Sequence, residues 1–214
     1  MLKLNRKPLA QDIEAYLQAR KADLLACLDA GVKLSGAVAG AYRYAALKAH
    51  LVVEAHGKCM YCESKITHLY FGDVEHIRPK SVFPRARLDV ENLGLACAIC
   101  NNNKGDYWDA LYPVLDPYSD STQDEIFALG HFVMHRPGRG RAKITIAHLD
   151  LNRAALLERR KERLELIQPL ADQYADAPAG PLKDLLRSEL RRQTSADTEY
   201  SLISRAFLSA AGID

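Results

Sequence analysis

The sequence predicts an α+β fold, in which a mainly helical chain surrounds a small central unit of strands and loops. Three observations lead to this prediction. Apolar residues recur at helical spacing towards both ends of the 214-residue chain. Between residues 58 and 112 the periodicity becomes short, and Cys, Asp, His, Asn and Gly become dense. Two C-x2-C pairs lie in this stretch, and such pairs are typical of metal-binding turns.

These patterns divide the chain into four segments. The divisions follow the changes of periodicity and the turn-forming residues between them. The segments are an N-terminal helical segment (1–56), a central core (57–112), a loop with a β-hairpin (113–150) and a C-terminal helical segment (151–214).

Two helices are predicted in the N-terminal segment. The first covers residues 8–30, and Gly31 follows it as a stop signal. The second covers residues 42–56 and ends at Gly57. Cys27 lies beside the apolar stripe of the first helix, so we expect a small buried thiol there rather than a reactive one.

A β-hairpin is predicted after the central core. Residues 126–134 and 142–149 have the composition of strands, and the turn-rich stretch 136–140 separates them. Beyond this hairpin the sequence is helical, with Asp150 or Asn152 as the expected cap of the next helix. A break follows at residues 175–181, and the last helix is expected to end near Phe207.

Composition favours a cytoplasmic protein that does not enter a membrane. The longest nearly unbroken apolar run, Leu93–Cys100, is far shorter than a membrane span. The basic N-terminal residues are not followed by the apolar stretch of a signal peptide, and no lipidation motif is present.

The net charge of +2 does not by itself indicate a nucleic-acid partner, but the charges are unevenly distributed. Two stretches, 77–88 and 136–143, are basic and contain no acidic residue. Such stripes can hold phosphates, although a solvated loop explains them equally well. In the first stripe the candidate phosphate contacts are Arg78, Lys80, Arg85 and Arg87.

Four of the five cysteines form the pairs Cys59/Cys62 and Cys97/Cys100. An odd number of cysteines in an intracellular chain argues against a disulfide framework. Two C-x2-C turns supply the four thiolates of a closed, structural Zn²⁺ site, which needs no help from His68. Because such a site has no open coordination position, any catalysis must occur elsewhere. A redox pair would be expected beside a βαβ unit, which the sequence does not contain.

The segment between the cysteine pairs contains the run Asp73-Val74-Glu75-His76. As a strand, it would place Asp73 and Glu75 on one face and His76 on the other. His76 could act as a general base, because histidine titrates near neutral pH. A carboxylate of Asp73 or Glu75, together with an Asn amide oxygen, is suited to Mg²⁺. Nearby, Lys104 is a further candidate for holding phosphate. An acid–His pair alone is usually structural; the surrounding cysteine pairs favour a cleavage site.

The run 73–81 resembles the first signature of HNH endonucleases, and 97–105 resembles their closing signature, in which His or Asn follows the last cysteine. The resemblance implies a ββα-metal fold on a four-cysteine zinc finger. It also implies that His76 is the catalytic base and that Glu75 and Asn101 are metal ligands, with Asp73 as a further ligand. Asn92 would belong to the catalytic site as the residue that ties the connecting loop in place.

Asn101 stands where many HNH proteins have His, so the chain resembles the HNN variant. An Asn oxygen favours Mg²⁺, whereas a His nitrogen admits softer ions; Mn²⁺ is the alternative catalytic ion. The resemblance implies a phosphodiester hydrolase acting on nucleic acid, with DNA favoured and RNA open.

Outside the core, a looser resemblance connects the chain with the HNH component of Septu-type anti-phage systems and some retrons. It rests on Leu115-Asp116-Pro117 and on Leu149-Asp150-Leu151-Asn152-Arg153 before a charged helix. Because those proteins work with an ATPase, the resemblance implies an antiviral defence effector with an ATPase partner.

Two other classes of function fit the sequence less well. A zinc-stabilised module that binds nucleic acid or protein without cutting would not need Glu75, His76 and Asn101, all of which are present. A thiol oxidoreductase is disfavoured by the spacing of the cysteine pairs and by the missing βαβ context.

Overall fold

The chain folds as helices packed around two small antiparallel sheets, and the computed structural model describes residues 1–66 and 72–213. The helices are α1 (Gln11–Asp29), α2 (Gly36–Ala39), α3 (Ala45–Glu54), α4 (Ala98–Lys104), α5 (Thr122–Glu125), α6 (Gly140–His148), α7 (Ala154–Asp176), α8 (Pro181–Gln193) and α9 (Ser201–Ala210). The strands are β1 (Asp73–His76), β2 (Leu93–Ala96), β3 (Ile126–Leu129) and β4 (Phe132–His135). The predicted α+β fold, mainly helical around a small central core, is confirmed.

A ββα unit forms the centre of the molecule. β1 pairs antiparallel with β2, so that Glu75 lies opposite Gly94 and His76 lies opposite Leu93. Two short 3₁₀ turns, Pro84–Ala86 and Val90–Asn92, lie in the connection between the strands. α4 begins two residues after β2 ends and contacts β1. β1, β2 and α4 therefore follow one another along the chain without an intervening domain.

The main hydrophobic core joins this unit to the N-terminal helices. All four residues of β2 are buried, and α3 packs against that strand through Leu47 and Leu51, which are completely buried. Burying a leucine side chain contributes about 1.5–3 kcal/mol. The core therefore holds β2, and through it β1, in a fixed position against α3.

The C-terminal helices form a second, smaller apolar cluster and also contact the central unit. α7, α8 and α9 pack together around Ile167, Leu190 and Leu208. The Lys58 ammonium donates a hydrogen bond to the carbonyl oxygen of Thr198, at 2.9 Å. A carboxylate oxygen of Glu63 accepts from the backbone N–H of Leu202, at 3.1 Å. These polar contacts attach the start of α9 to the turn that carries the first cysteine pair.

The hairpin prediction was wrong in both strands. Residues 126–134, predicted as the first strand, contain β3 and most of β4, and residues 142–148, predicted as part of the second strand, belong to α6. The buried residues Ala142, Thr145 and Leu149 are spaced i, i+3, i+7, which places them on one helical face. The Thr145 hydroxyl also donates to the carbonyl of Arg141, one turn earlier.

Two smaller expectations were also wrong. The helix after residue 150 begins at Ala154, and no side chain caps it. Asn152 instead pairs with β4, accepting from the backbone N–H of Val133 and donating to its carbonyl. Cys27 is half-buried rather than fully buried.

None of the helices in the described ranges combines the length and apolar content that a membrane span requires.

Candidate functional site

The four paired cysteines come together at one point. Their sulfur atoms all lie within 4.8 Å of one another, with 3.9 Å between Cys62 and Cys97. The first pair lies on a turn closed by a hydrogen bond from the Cys59 N–H to the Ser64 carbonyl. The second pair lies at the start of α4, where the Cys97 sulfur accepts from the backbone N–H of Cys100. Four converging sulfurs at these distances fit a tetrahedral Zn²⁺ with bonds of about 2.3 Å.

The surroundings favour the thiolate form of Cys62. Hydrogen bonds from neighbouring thiols, above all that of Cys100, hold the pKa of Cys62 well below its usual value. The Ser64 hydroxyl lies 3.3 Å from the Cys62 sulfur, and an Arg153 guanidinium nitrogen lies 3.7 Å from the Cys100 sulfur. Donors placed around metal-bound sulfurs offset the negative charge of four thiolates. His68 lies outside the described residues.

Glu75, His76 and Asn101 line one cavity of about 280 Å³, together with Tyr42 and Lys80. The two β1 residues reach it from the strand, and Asn101 reaches it from the second turn of α4. Asn101 directly follows the last cysteine of the metal-binding cluster. The cysteine cluster therefore anchors the helix that carries Asn101 beside β1.

His76 is held in one orientation. Its Nε2 lies 3.0 Å from the Arg87 carbonyl oxygen, and its ring packs edge-on against Tyr42 with centroids 4.6 Å apart. Because a carbonyl can only accept, Nε2 carries the proton and Nδ1 has a free lone pair. Burial lowers the pKa of His76 to about 4. At neutral pH the imidazole is therefore uncharged and able to accept a proton.

Glu75 is buried beside a lysine. The Lys104 ammonium lies 2.7 Å from Glu75 Oε1 and also donates to the His76 carbonyl, at 2.8 Å. The contact is an ion pair without good hydrogen-bond alignment, since Oε1 has no partner in hydrogen-bonding geometry. Burial raises the pKa of Glu75, and the charge of Lys104 opposes this effect.

Asp73 contacts Asn101 and does not line the cavity. The Asn101 amide nitrogen donates to Asp73 Oδ2, at 3.1 Å. This bond fixes which way the amide points, because its nitrogen is turned towards Asp73 and its oxygen away from it. Within the described ranges, the only cluster of three or more His, Cys, Asp or Glu ligands is the one formed by the cysteines. Asp73 and Glu75 therefore do not join His76 in such a cluster.

Asn92 ties together the connection between β1 and β2. It is 1% exposed, and its amide oxygen accepts from the Arg78 N–H at 2.7 Å. Its amide nitrogen donates to the carbonyls of Arg78 and Ala86. These three backbone hydrogen bonds are of the kind that the sequence resemblance implied.

The candidate phosphate contacts separate into two groups. Arg78 is exposed and Lys80 is half-buried, and neither forms an ion pair within the described part of the chain. Arg85 pairs with Asp29 at 2.7 Å, and Arg87 donates to the carbonyl of Ala39.

Lys104 lines the same cavity and is already engaged there. It is 2% exposed and contacts Glu75 and the His76 carbonyl, and its role as a phosphate contact stays a prediction. A lysine just after the second cysteine pair suggested an exposed cation. The tertiary packing of α4 against β1 buries it.

Tyr42 and Asp106 are among the cavity residues that sequence reasoning missed. Tyr42 was predicted only as the start of a helix, and nothing in its local sequence connects it with His76. Asp106 also lines the cavity, and its position shortly after Asn101 could have indicated this.

Comparison with known proteins gives two findings. Residues 59–107 match the HNH endonuclease family model. The chain is also 26% identical over 105 residues to the Septu protein PtuB of Bacillus thuringiensis, a match that covers 49% of this chain and 41% of that protein. The matched region thus spans less than half of this relative's length. The family resemblance predicted from the motifs is confirmed for residues 59–107, and the Septu resemblance is supported by a related segment.

Proposed function

We propose that this protein is a metal-dependent endonuclease that hydrolyses phosphodiester bonds of nucleic acid, with DNA as the favoured substrate. The observation that carries the proposal is the convergence of Glu75, His76 and Asn101 on one cavity. All residues that line this cavity except Tyr42 lie in the segment that matches the HNH endonuclease family. The match supports a nuclease function in general, and the roles of the individual residues are proposed here.

In this proposal His76 is the general base. Its Nε2 is engaged by the Arg87 carbonyl, so Nδ1 is the atom that takes a proton from the attacking water. The edge-on contact with Tyr42 keeps the ring from turning during the transfer. General-base catalysis of this kind accelerates a reaction about 10²–10⁴-fold.

Glu75 and Asn101 would hold the catalytic cation. Both offer oxygen atoms, which suit Mg²⁺, with Mn²⁺ as the alternative. Glu75 Oε1 lies 2.7 Å from the Lys104 ammonium, so a bound cation would share this carboxylate with the lysine. When bound, the cation stabilises negative charge on the phosphate and the leaving oxygen. Asp73 is proposed as a positioning residue for Asn101 rather than as a ligand.

The four cysteines would hold a structural Zn²⁺ that takes no part in the chemistry. Phosphate contacts are assigned to Arg78 and Lys80, whose charges are unpaired within the described residues. Phosphate contacts position a nucleic acid without selecting its sequence.

The biological role is proposed from the relative. The match to the Septu protein PtuB supports the Septu resemblance found in the sequence. As that resemblance implies, this chain would act in the cytoplasm as an anti-phage defence effector and work with an ATPase partner.

Cleavage of plasmid DNA and of RNA tests the main proposal, with Mg²⁺ added or omitted. We expect Mg²⁺-dependent cutting that His76→Ala lowers by at least about 100-fold. His131→Ala, at the turn of the β3–β4 hairpin, is the matched control and should cut like the wild type. Equal cutting by His76→Ala and the wild type would refute the assignment of the base.

One observation favours a second candidate, a zinc-stabilised module that binds without cutting. The Lys104 ammonium already neutralises Glu75 and so competes with a metal for its carboxylate. Calorimetric titration with Mn²⁺ distinguishes the nuclease from the binding module. This measurement does not require an activating partner protein. A nuclease should bind Mn²⁺ at a site that Glu75→Gln weakens; a binding module should show no difference between the wild type and this variant.

A further inference from the structure

A second cavity, of about 350 Å³, opens on the other side of the segment that follows β1. Ile77 and Arg78 line it, whereas His76, Pro79 and Lys80 line the proposed cleavage site. Arg78 is two residues from His76 and therefore at most about 7 Å from it along the chain. The Asn92 amide clamps the Arg78 backbone between the two cavities.

The walls of this second cavity are aromatic and apolar with a few polar groups. Trp108 lines it and packs edge-on against Phe83, with ring centroids 4.7 Å apart, which holds the indole in place. Tyr118, Pro113 and Val114 contribute the other apolar surfaces. Its volume lies near the lower end of the range of about 300–1,000 Å³ for small-ligand sites.

The charges inside the cavity argue against a phosphate and for a base. Asp116 and Glu91 line it together with Arg78 and Arg141, so the lining has no net positive charge to attract an anion into it. Asp116 accepts hydrogen bonds from the Tyr118 N–H and the Ser119 hydroxyl, and Arg141 is paired with Asp120. Glu91 is paired with Arg6, so the acceptor that remains is Asp116, whose oxygens have further lone pairs. This carboxylate beside an aromatic wall matches an amino group and the flat face of a nucleobase.

A positively charged side chain that can contact the sugar–phosphate backbone of a nucleic acid lies at the rim of this cavity. Arg78 is exposed, carries no ion pair within the described residues, and lies with its guanidinium 5.6 Å from the Phe83 ring centre. An arginine in this position can contact a phosphate while an adjacent base enters the cavity. Unpaired bases stack on aromatic side chains and arginine planes, whereas bases within a duplex cannot.

We infer that the cavity lined by Trp108 and Arg78 binds an unpaired nucleobase next to the scissile phosphate. The inference rests on the proposed nuclease function and deepens it. It implies that the protein engages single-stranded nucleic acid, or a base displaced from a duplex, in preference to intact duplex.

The chain contains one tryptophan, so its fluorescence reports on this cavity alone. We would titrate the His76→Ala variant, which cannot cut under the proposal, with three probes. They are a 16-nucleotide single-stranded DNA of mixed sequence, the matching RNA, and the blunt DNA duplex. The inference predicts quenching by at least one single strand and little by the duplex. Quenching by one strand type alone identifies DNA or RNA as the source of the base.

Binding measured by anisotropy of labelled probes supplies the energetic test. Trp108→Ala should weaken single-strand binding about 5- to 100-fold and leave duplex binding unchanged. Trp108→Phe should retain most of the affinity, which guards against an effect of misfolding. Phe132→Ala, an exposed aromatic in the other sheet, is the control and should bind like the parent.

The inference is overturned if the duplex quenches Trp108 as strongly as the single strands, or if Trp108→Ala weakens all probes equally or none. This failure is distinguishable from failure of the nuclease proposal. Metal-dependent cutting that depends on His76 could persist without any effect of Trp108. Conversely, single strands could quench Trp108 in a protein that never cuts.

Discussion

At the residue scale, the site depends on how the hydrogen bonds of each polar side chain are already used. His76 has one ring nitrogen engaged by the Arg87 carbonyl, which leaves the other as its only basic atom. Asn101 has its amide nitrogen turned to Asp73, which leaves its oxygen as the free ligand atom. In both cases a neighbouring residue decides which atom could do chemistry.

Asp73 and Asn101 are therefore predicted to act as one unit. Asp73→Ala should lower Mn²⁺ affinity about 10- to 100-fold, as loss of a residue that orients a metal ligand typically does. In an Asn101→Ala background the same change should have little further effect, because Asp73 acts through Asn101. Calorimetric titration of the wild type, both single variants and the double variant gives the four Mn²⁺ affinities of this double-mutant cycle. Fully additive losses would show instead that Asp73 is an independent ligand.

Asn92 is predicted to be chiefly structural. Asn92→Ala removes three hydrogen bonds to buried backbone groups and should cost about 2–4 kcal/mol in the free energy of unfolding. Urea denaturation measures this loss. The control is Asn102→Ala, an exposed position on α4, which should change stability by less than about 0.5 kcal/mol. If Asn92→Ala lowers the free energy of unfolding no more than Asn102→Ala does, the structural role of Asn92 is contradicted.

At the element scale, β1 is positioned by the turn that enters it and by its partner strand. Gly72 precedes β1 with φ +66°, a conformation that L-residues rarely adopt. A Cβ added there would lie 2.7 Å from Ile66 Cδ1 and 2.8 Å from Leu95 Cδ1. The entry to the strand that carries Glu75 and His76 therefore requires glycine for conformation and for space.

Gly72→Ala and Gly31→Ala separate these two requirements. Gly31 also has a positive φ, +64°, but its added Cβ would meet nothing within 4 Å. We expect Gly31→Ala to cost about 1–2 kcal/mol from backbone conformation alone, and Gly72→Ala about 1–3 kcal/mol more from overpacking. Thermal and urea denaturation provide both values. Equal costs would show that the core around Ile66 and Leu95 yields to an extra methyl group.

At the scale of the whole molecule, the cysteine cluster joins three parts of the chain. It holds the turn after α3 against the start of α4. The same turn also contacts the C-terminal helices. The Ser64 and Tyr200 hydroxyls lie 2.9 Å apart, and Glu63 accepts from the Leu202 N–H. Loss of the metal should therefore loosen both the cavity and the docking of α9.

Metal analysis should find about one Zn²⁺ per chain. Structural zinc contributes on the order of 10 kcal/mol in small zinc-binding units, so Cys100→Ser should lose the metal and lower the melting temperature sharply. Cys27→Ser, which changes the one cysteine outside the cluster, should retain both zinc and stability. Zinc content near zero in the wild type, or equal melting of the two variants, would contradict the zinc site.

Sequence alone determined the cysteine cluster, the order of the ββα unit and the residues proposed for cleavage. These features depend on residue types at short spacings, and a C-x2-C turn or an acid–His pair on a strand keeps its geometry in any context. Sequence reasoning failed for residues 142–149, where alternating apolar residues suggested a strand. There the burial of Ala142, Thr145 and Leu149 on one helical face stabilises a helix instead.

Only the tertiary structure decided how these residues meet the rest of the chain. The packing of α4 on β1 buried Lys104 against Glu75, and the N-terminal segment placed Tyr42 against His76. The same packing brought Trp108 beside Arg78 at a second cavity. Each of these contacts joins elements far apart in the chain. Their side chains meet only when the shared core fixes the distances, and local spacing contains no information about that.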